Sequence, residues 1–202
     1  LGACREAALA MSSGSCLPAL LSLMRDPEMG GRMNRPMKLK QAAMETLAAI
    51  VMAVGEMGKA NPELTLEAVS TLTEEGVIPV MLAVLDSSSS QTLASHRDTP
   101  SSRIRECAGI VLSSMSLCSV DAMMELQSCH AITSMLSAMS DPGMAATSTF
   151  RGDGAPRCLG MLLTAAALLT YSQHDNTSAT ELMDRLLEAI DAGAISTLSR
   201  IL

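Results

Sequence analysis

Gly76-Val77-Ile78-Pro79-Val80-Met81-Leu82-Ala83-Val84-Leu85 decides the fold of this chain, because its core phrase returns. Leu17-Pro18-Ala19-Leu20-Leu21 precedes it, and Ile132-Thr133-Ser134-Met135-Leu136 and Ile195-Ser196-Thr197-Leu198-Ser199 follow it. A small or turn-forming residue comes before most copies: Gly76, Cys129-His130 and Gly193. Self-similarity at a long, fairly regular interval marks stacked supersecondary units, each too small to bury its own apolar face and stable only when covered by its neighbours.

Working outward, each phrase leads into a polar stretch rich in Gly, Pro and Ser, and then into a long apolar segment with small residues near its start. These segments are Leu39 to Ile50, Ile104 to Leu112 and Pro156 to Leu163. The pairs Ala42/Ala43, Ala108/Gly109 and Leu159/Gly160 fall at one register, where small side chains let a neighbouring helix come close. A shorter acidic segment follows each long one: Pro62 to Leu72, Val120 to Cys129 and Ala179 to Ala192. Asn61 before Pro62 predicts a helix start, as does Thr177 or Ser178 ahead of Glu181. The unit therefore reads as short helix, turn, helix, loop, long helix.

Composition agrees with an all-α chain. The 202 residues are 48% hydrophobic, but only 1% are aromatic and none is Trp, so the apolar content is mostly Leu, Ala, Met and Val. Ala, Leu and Met favour helices, and the aromatic residues that favour strands are scarce. No apolar run reaches the ~18–20 residues of a membrane span, since the longest, Met161 to Leu169, is interrupted at Thr164. With no secretory leader in view and six cysteines spread mainly over helical segments, the expectation is reduced thiols and a cytosolic or nuclear protein.

The order of elements resembles the armadillo repeat, whose second helix begins Gly-x-Ile-Pro-x-Leu-x-x-Leu-Leu. Gly76 to Leu85 and Gly193 to Leu202 follow that pattern. The resemblance implies a right-handed α-α superhelix, an armadillo-like or HEAT-like solenoid. On this reading the array spans 1–202, with a partial repeat at 1–14, repeats at about 15–60, 61–118 and 119–176, and a partial repeat at 177–202. The incomplete units at each end suggest a piece of a longer array. The phrases lie 61, 54 and 63 positions apart, longer than the ~40–47 of ordinary armadillo units. The excess falls in Arg25 to Lys38, Asp86 to Arg103 and Ser140 to Ala155, which predicts long loops along one edge.

Charge follows the same division. Ten of the 14 basic residues lie in or beside those loops: Arg25, Arg32, Arg35, Lys38, Lys40, Arg97, Arg103, Arg105, Arg151 and Arg157. The short helices carry the acid. A basic edge for a protein partner is the functional expectation, with Arg32, Arg35, Lys38, Arg97, Arg103, Arg105, Arg151 and Arg157 as its residues. The bland reading is that loops simply need solvating charge.

Resemblance to the nuclear-import branch of the family would place Trp and Asn arrays on the inner face of the long helices. Here Glu45, Ile110 and Met161 stand at the Trp positions and Ala49, Ser114 and Ala165 at the Asn positions, so the array is absent; those first three are kept as inner-face candidates. Methionines such as Met44, Met52, Met57, Met115, Met123, Met124 and Met161 read first as core filler and second as an adaptable binding surface.

Other classes find less support. A net charge of −7, with only Phe150 and Tyr171 as aromatics, makes nucleic acid a poor ligand. His96, His130 and His174 are isolated, and no nucleophile-elbow, phosphate-loop or dinucleotide motif occurs, so neither catalysis nor a cofactor or metal is expected. Arg151-Gly152-Asp153 spells an adhesion tripeptide by coincidence in a Gly-rich stretch. The Ser-rich run Ser87 to Arg103 reads as a linker in which Thr99 or Ser101 could accept phosphate beside Arg97, Arg103 and Arg105. The expected function is a non-enzymatic scaffold or adaptor for protein partners. A structural subunit of a large assembly is the alternative, ahead of a peptide carrier of the nuclear-transport type.

Overall fold

The structure, a computed structural model, describes residues 16–25, 34–58, 60–86, 100–146, 156–170 and 179–201. These form eleven helices and no strand: α1 Cys16–Arg25, α2 Asn34–Met57, α3 Pro62–Glu74, α4 Val77–Asp86, α5 Pro100–Cys118, α6 Val120–Ser128, α7 Ala131–Met139, α8 Pro142–Ala145, α9 Leu159–Thr170, α10 Ala179–Asp191 and α11 Ala194–Ile201. The chain is thus all-α over its described residues. Segment 1–14, the run Ser87 to Thr99 with Arg97, the tripeptide at 151–153, Phe150, Tyr171, His174, the proposed caps Thr177 and Ser178, and Arg32 lie outside them.

The four phrases are α1, α4, α7 and α11, and local chemistry explains their starts. Gly76 (φ 75°), His130 (φ 52°) and Gly193 (φ 86°) all adopt the left-handed conformation immediately before α4, α7 and α11. This turn reverses the chain between the short helix and the next phrase, and a β-carbon makes it costly for any residue but glycine. Pro18 and Pro79 are each the third residue of their helix, where the missing amide hydrogen has no intrahelical acceptor to lose. α4 is interior on nearly every side, burying Val77, Ile78, Val80, Met81, Leu82, Val84 and Leu85, as an all-round apolar helix must.

Two of the acidic helices, α3 and α6, begin on described caps. The Asn61 side chain accepts from the Leu64 amide at 3.4 Å ahead of Pro62, and Ser119 accepts from the Ala122 amide at 3.4 Å. The Thr65 hydroxyl donates to the Val54 carbonyl at 3.2 Å and ties α3 to α2.

Packing follows the repeat. α1 packs on α4, α4 on α7 and α7 on α11; α2 packs on α5 and α5 on α9; α3 packs on α6. The phrase helices and the long helices therefore each meet their counterpart one unit further along the chain, and among the short helices α3 meets α6. The small residues foreseen at the start of the long helices lie at these crossings. A β-carbon on Gly109 would come within 2.7 Å of Met161 Cγ, and one on Gly160 within 2.8 Å of Ser113 Oγ, so α5 and α9 touch almost backbone to backbone. Met44, Leu47, Val54, Leu72, Met81, Leu112, Met115, Leu126 and Met135 fill one continuous apolar core, each worth roughly 1.5–3 kcal/mol in removed apolar surface. Of the methionines singled out from sequence, Met44, Met57, Met115, Met123 and Met161 are core, whereas Met52 and Met124 are exposed.

Two boundaries differ from expectation. α2 starts at Asn34 and α5 at Pro100, so Arg35, Lys38, Lys40, Arg103 and Arg105 belong to the first turns of long helices, not to loops. Pro100 explains the second case, since a proline suits the first helical position. α8 adds a short turn of helix within the third inter-helix stretch.

Candidate functional site

The basic residues expected on one edge are divided by the structure. Lys38 is exposed, but Arg105 and Arg157 are buried and Arg103 is largely so. Their guanidinium groups point into a charged seam between the starts of the long helices. Arg103 Nε lies 2.9 Å from Glu45 Oε1 on α2, and its Nη1 is 3.6 Å from Glu106 Oε2 one helical turn along. Arg157, just before α9, brings its Nε to 3.4 Å from the same Glu106 oxygen. Arg105 Nη1 is 2.8 Å from Asp141 Oδ2, while the other Asp141 oxygen accepts from the Gly143 amide at 2.7 Å and caps α8.

Glu106 is fully buried between two arginines, and in this dry setting each charge depends on its partners. The seam joins α2, α5, α8 and the lead into α9 into one register. Arg105 and Arg157 are therefore withdrawn from the exposed basic edge: their charge is neutralised inside the fold, and little of either side chain faces outward. Arg32, Arg97 and Arg151 lie outside the described residues, and the side chain of Arg35 does as well.

The inner-face candidates also change role. Ile110 and Met161 are core residues, with Met161 filling the space beside Gly109. Neither offers a surface for a peptide, because the rows of long helices close on each other there. Glu45 accepts from Gln41 Nε2 at 2.9 Å as well as from Arg103. The Gln41 hydrogen bond, then the Arg103 contact, holds its carboxyl below the ordinary range against the opposing effect of partial burial.

The thiols divide by position. Cys107 and Cys158 are buried at corresponding places near the start of α5 and α9, and burial pushes the Cys107 thiol up to about 12, with the neighbouring Glu106 carboxylate adding to the rise. Cys16 and Cys129 are exposed, so Cys129 does not pack as an apolar helix residue. None of the five described cysteines is in a disulfide. Among the described residues no group of three His, Cys, Asp or Glu side chains could hold a metal ion, and no single helix is long and apolar enough to cross a membrane.

The exposed apolar residues of the short helices were not foreseen. Leu66 on α3, Val120 on α6 and Met183 on α10 are 51%, 54% and 56% exposed. Each stands ten positions before a left-handed turn residue, Gly76, His130 and Gly193 respectively. The residue after each is an exposed carboxylate: Glu67, Asp121 and Asp184. Counting back from the turns shows in the sequence that the three share one register, but not that they are exposed. Helical periodicity alone could not show that either, since it does not tell which apolar side chains a neighbour covers.

No protein-family model, curated protein or solved structure matches the chain. Its reading rests on its own residues and packing.

Proposed function

We propose that the chain is an armadillo-like solenoid serving as a non-enzymatic scaffold or adaptor for other proteins, in the cytosol or nucleus. The observation that carries this reading is the stacking of counterpart helices, α1–α4–α7–α11 and α2–α5–α9, each meeting its equivalent in the next unit. Units that cover one another in sequence leave long outer faces, a form suited to partner surfaces rather than to a reaction pocket. The basic edge, reduced by the inward turn of Arg103, Arg105 and Arg157, rests on Arg32, Arg35, Lys38, Arg97 and Arg151.

Solution scattering tests the stack. A compact chain of this length has a radius of gyration of about 17 Å. A larger value with a tailed distance distribution is expected, and a compact symmetric one overturns the solenoid. Partner recovery tests the edge: replacing Arg32, Arg35, Lys38, Arg97 and Arg151 by Ser is expected to reduce it several-fold, and unchanged recovery removes the edge from the reading. The alternative, a subunit of a large permanent assembly, follows if native extract shows no free pool on size exclusion. A peptide carrier of the nuclear-transport type has less support, because Ile110 and Met161 are interior.

A further inference from the structure

The short acidic helices repeat one surface feature. α3, α6 and α10 each carry a large exposed apolar side chain followed directly by an exposed carboxylate: Leu66-Glu67, Val120-Asp121 and Met183-Asp184. Singly, an exposed Leu or Val on a helix is ordinary. Three at one register, each with its carboxylate, on helices that occupy corresponding places in their units, form a ladder. α3 packs directly on α6. α6 packs on the preceding long helix α5 and the following α7, and α10 in the same manner on the preceding long helix α9 and the following α11.

This exposure differs in kind from the rest of α10. Leu186 is exposed too, but its counterparts Val69 and Met123 are buried, so that position is an inward one. Leu66, Val120 and Met183 face out in every unit, and Leu66 and Val120 do so although α3 and α6 pack on each other. The contact between these two helices therefore does not cover them.

The charge around the ladder selects the occupant. α3 contains Glu63, Glu67 and Glu74, and α6 contains Asp121 and Glu125, with no Lys, Arg or His in either helix. α10 carries four acidic residues against Arg185. We propose that the outer face of α3, α6 and α10 docks an extended segment of a partner protein in which apolar and basic residues recur together. The apolar side chains would cover Leu66, Val120 and Met183, and Lys or Arg would meet Glu67, Asp121 and Asp184. Packed helices such as α3 and α6 lie about 8–10 Å apart and an extended chain advances about 3.3–3.6 Å per residue, so between these two helices one apolar-basic pair is needed about every third residue. Apolar cover supplies affinity and the carboxylate row supplies selection against acidic segments.

The proposal rests on the equivalence of the units given under the proposed function, and its test separates from that of the stack. A fluorescent peptide of about twelve residues made of Leu-Lys-Ser repeats, titrated against the full chain by anisotropy, is expected to bind at least about tenfold tighter than the matching Leu-Glu-Ser peptide. The variant Leu66→Ser/Val120→Ser/Met183→Ser is expected to lose about tenfold or more in affinity. Glu67→Gln/Asp121→Asn/Asp184→Asn should lose a similar factor at low salt and flatten the salt dependence. Circular dichroism checks that each variant keeps its helices; if a triple variant does not, Val120→Ser and Asp121→Asn singly carry the test, each weakening binding about threefold or more. Equal binding of the two peptides, or unchanged affinity in the folded variants, overturns the ladder. If scattering still reports an elongated chain, that failure leaves the stack standing.

Discussion

α6 and α10 carry the same design on their inward faces, yet the structure treats them differently. Met123 on α6 is 7% exposed, while Leu186, at the corresponding position of α10, is 39% exposed. α6 has the preceding long helix, α5, on one side and the long helix of its own unit, α9, on the other. α10 packs on α9, α7 and α11, and among the described residues no further long helix lies against it. The same contrast holds for charge. The central carboxylate Glu106 is enclosed by Arg103 and Arg157, whereas Glu188 on α10 meets the exposed His130 and Thr133, each at 3.2 Å. A position in the repeat specifies which side chain is available for burial, and the neighbouring unit determines whether burial occurs.

The largest effect that could break this contrast is at the carboxylates. Glu106→Ala leaves buried guanidinium charge without its counterion and is expected to cost about 3–5 kcal/mol, while Glu188→Ala costs under about 1 kcal/mol. Urea unfolding of the two variants measures both, and comparable losses would show that the centre and the C-terminal end are equally enclosed.

Next come the apolar pair at one register. Met123→Ala should lie toward the lower end of the about 2–5 kcal/mol typical of emptied core sites, and Leu186→Ala near the ±0.5 kcal/mol of surface changes. A large loss at Leu186 in the same unfolding assay would place that side chain inside a packed interface.

The smallest effects concern the turns. Gly76→Ala forces a β-carbon into the left-handed region and is expected to destabilise by about 1–2 kcal/mol; space is not the obstacle, since the nearest neighbour, Arg25 Nη2, would be 3.5 Å away. His130→Gly relieves the same conformation but gives up the Glu188 contact, so a gain below about 1 kcal/mol is expected. Thermal melts of the two variants sharpen the comparison by showing whether the three turns are conformationally equivalent.

The short acidic helices could be read closely from sequence. Pro62 to Leu72 was expected and Pro62–Glu74 is found, because Asn61 and Pro62 announce the start and Gly76 the end. The small residues Gly109 and Gly160 also declared their crossing, since a close approach needs a missing side chain. The arginines could not be placed so well. A run of Arg, Pro and Ser looks like a solvated loop, and the partners that draw these side chains inward are Glu106 on α5, Glu45 on α2 and Asp141 at the cap of α8. The candidates Ile110 and Met161 illustrate the same limit, because a groove position and a core position share one helical spacing.

Sequence alone determined the helical composition, the recurrence of the phrase and the glycine turns at Gly76 and Gly193, since propensity, spacing and the need for glycine are local properties. Tertiary packing decided which charges are enclosed and which apolar residues face outward. Burial belongs to the assembled neighbours, and Glu106, Leu186 and the row of Leu66, Val120 and Met183 owe their environments to what packs, or does not pack, against them.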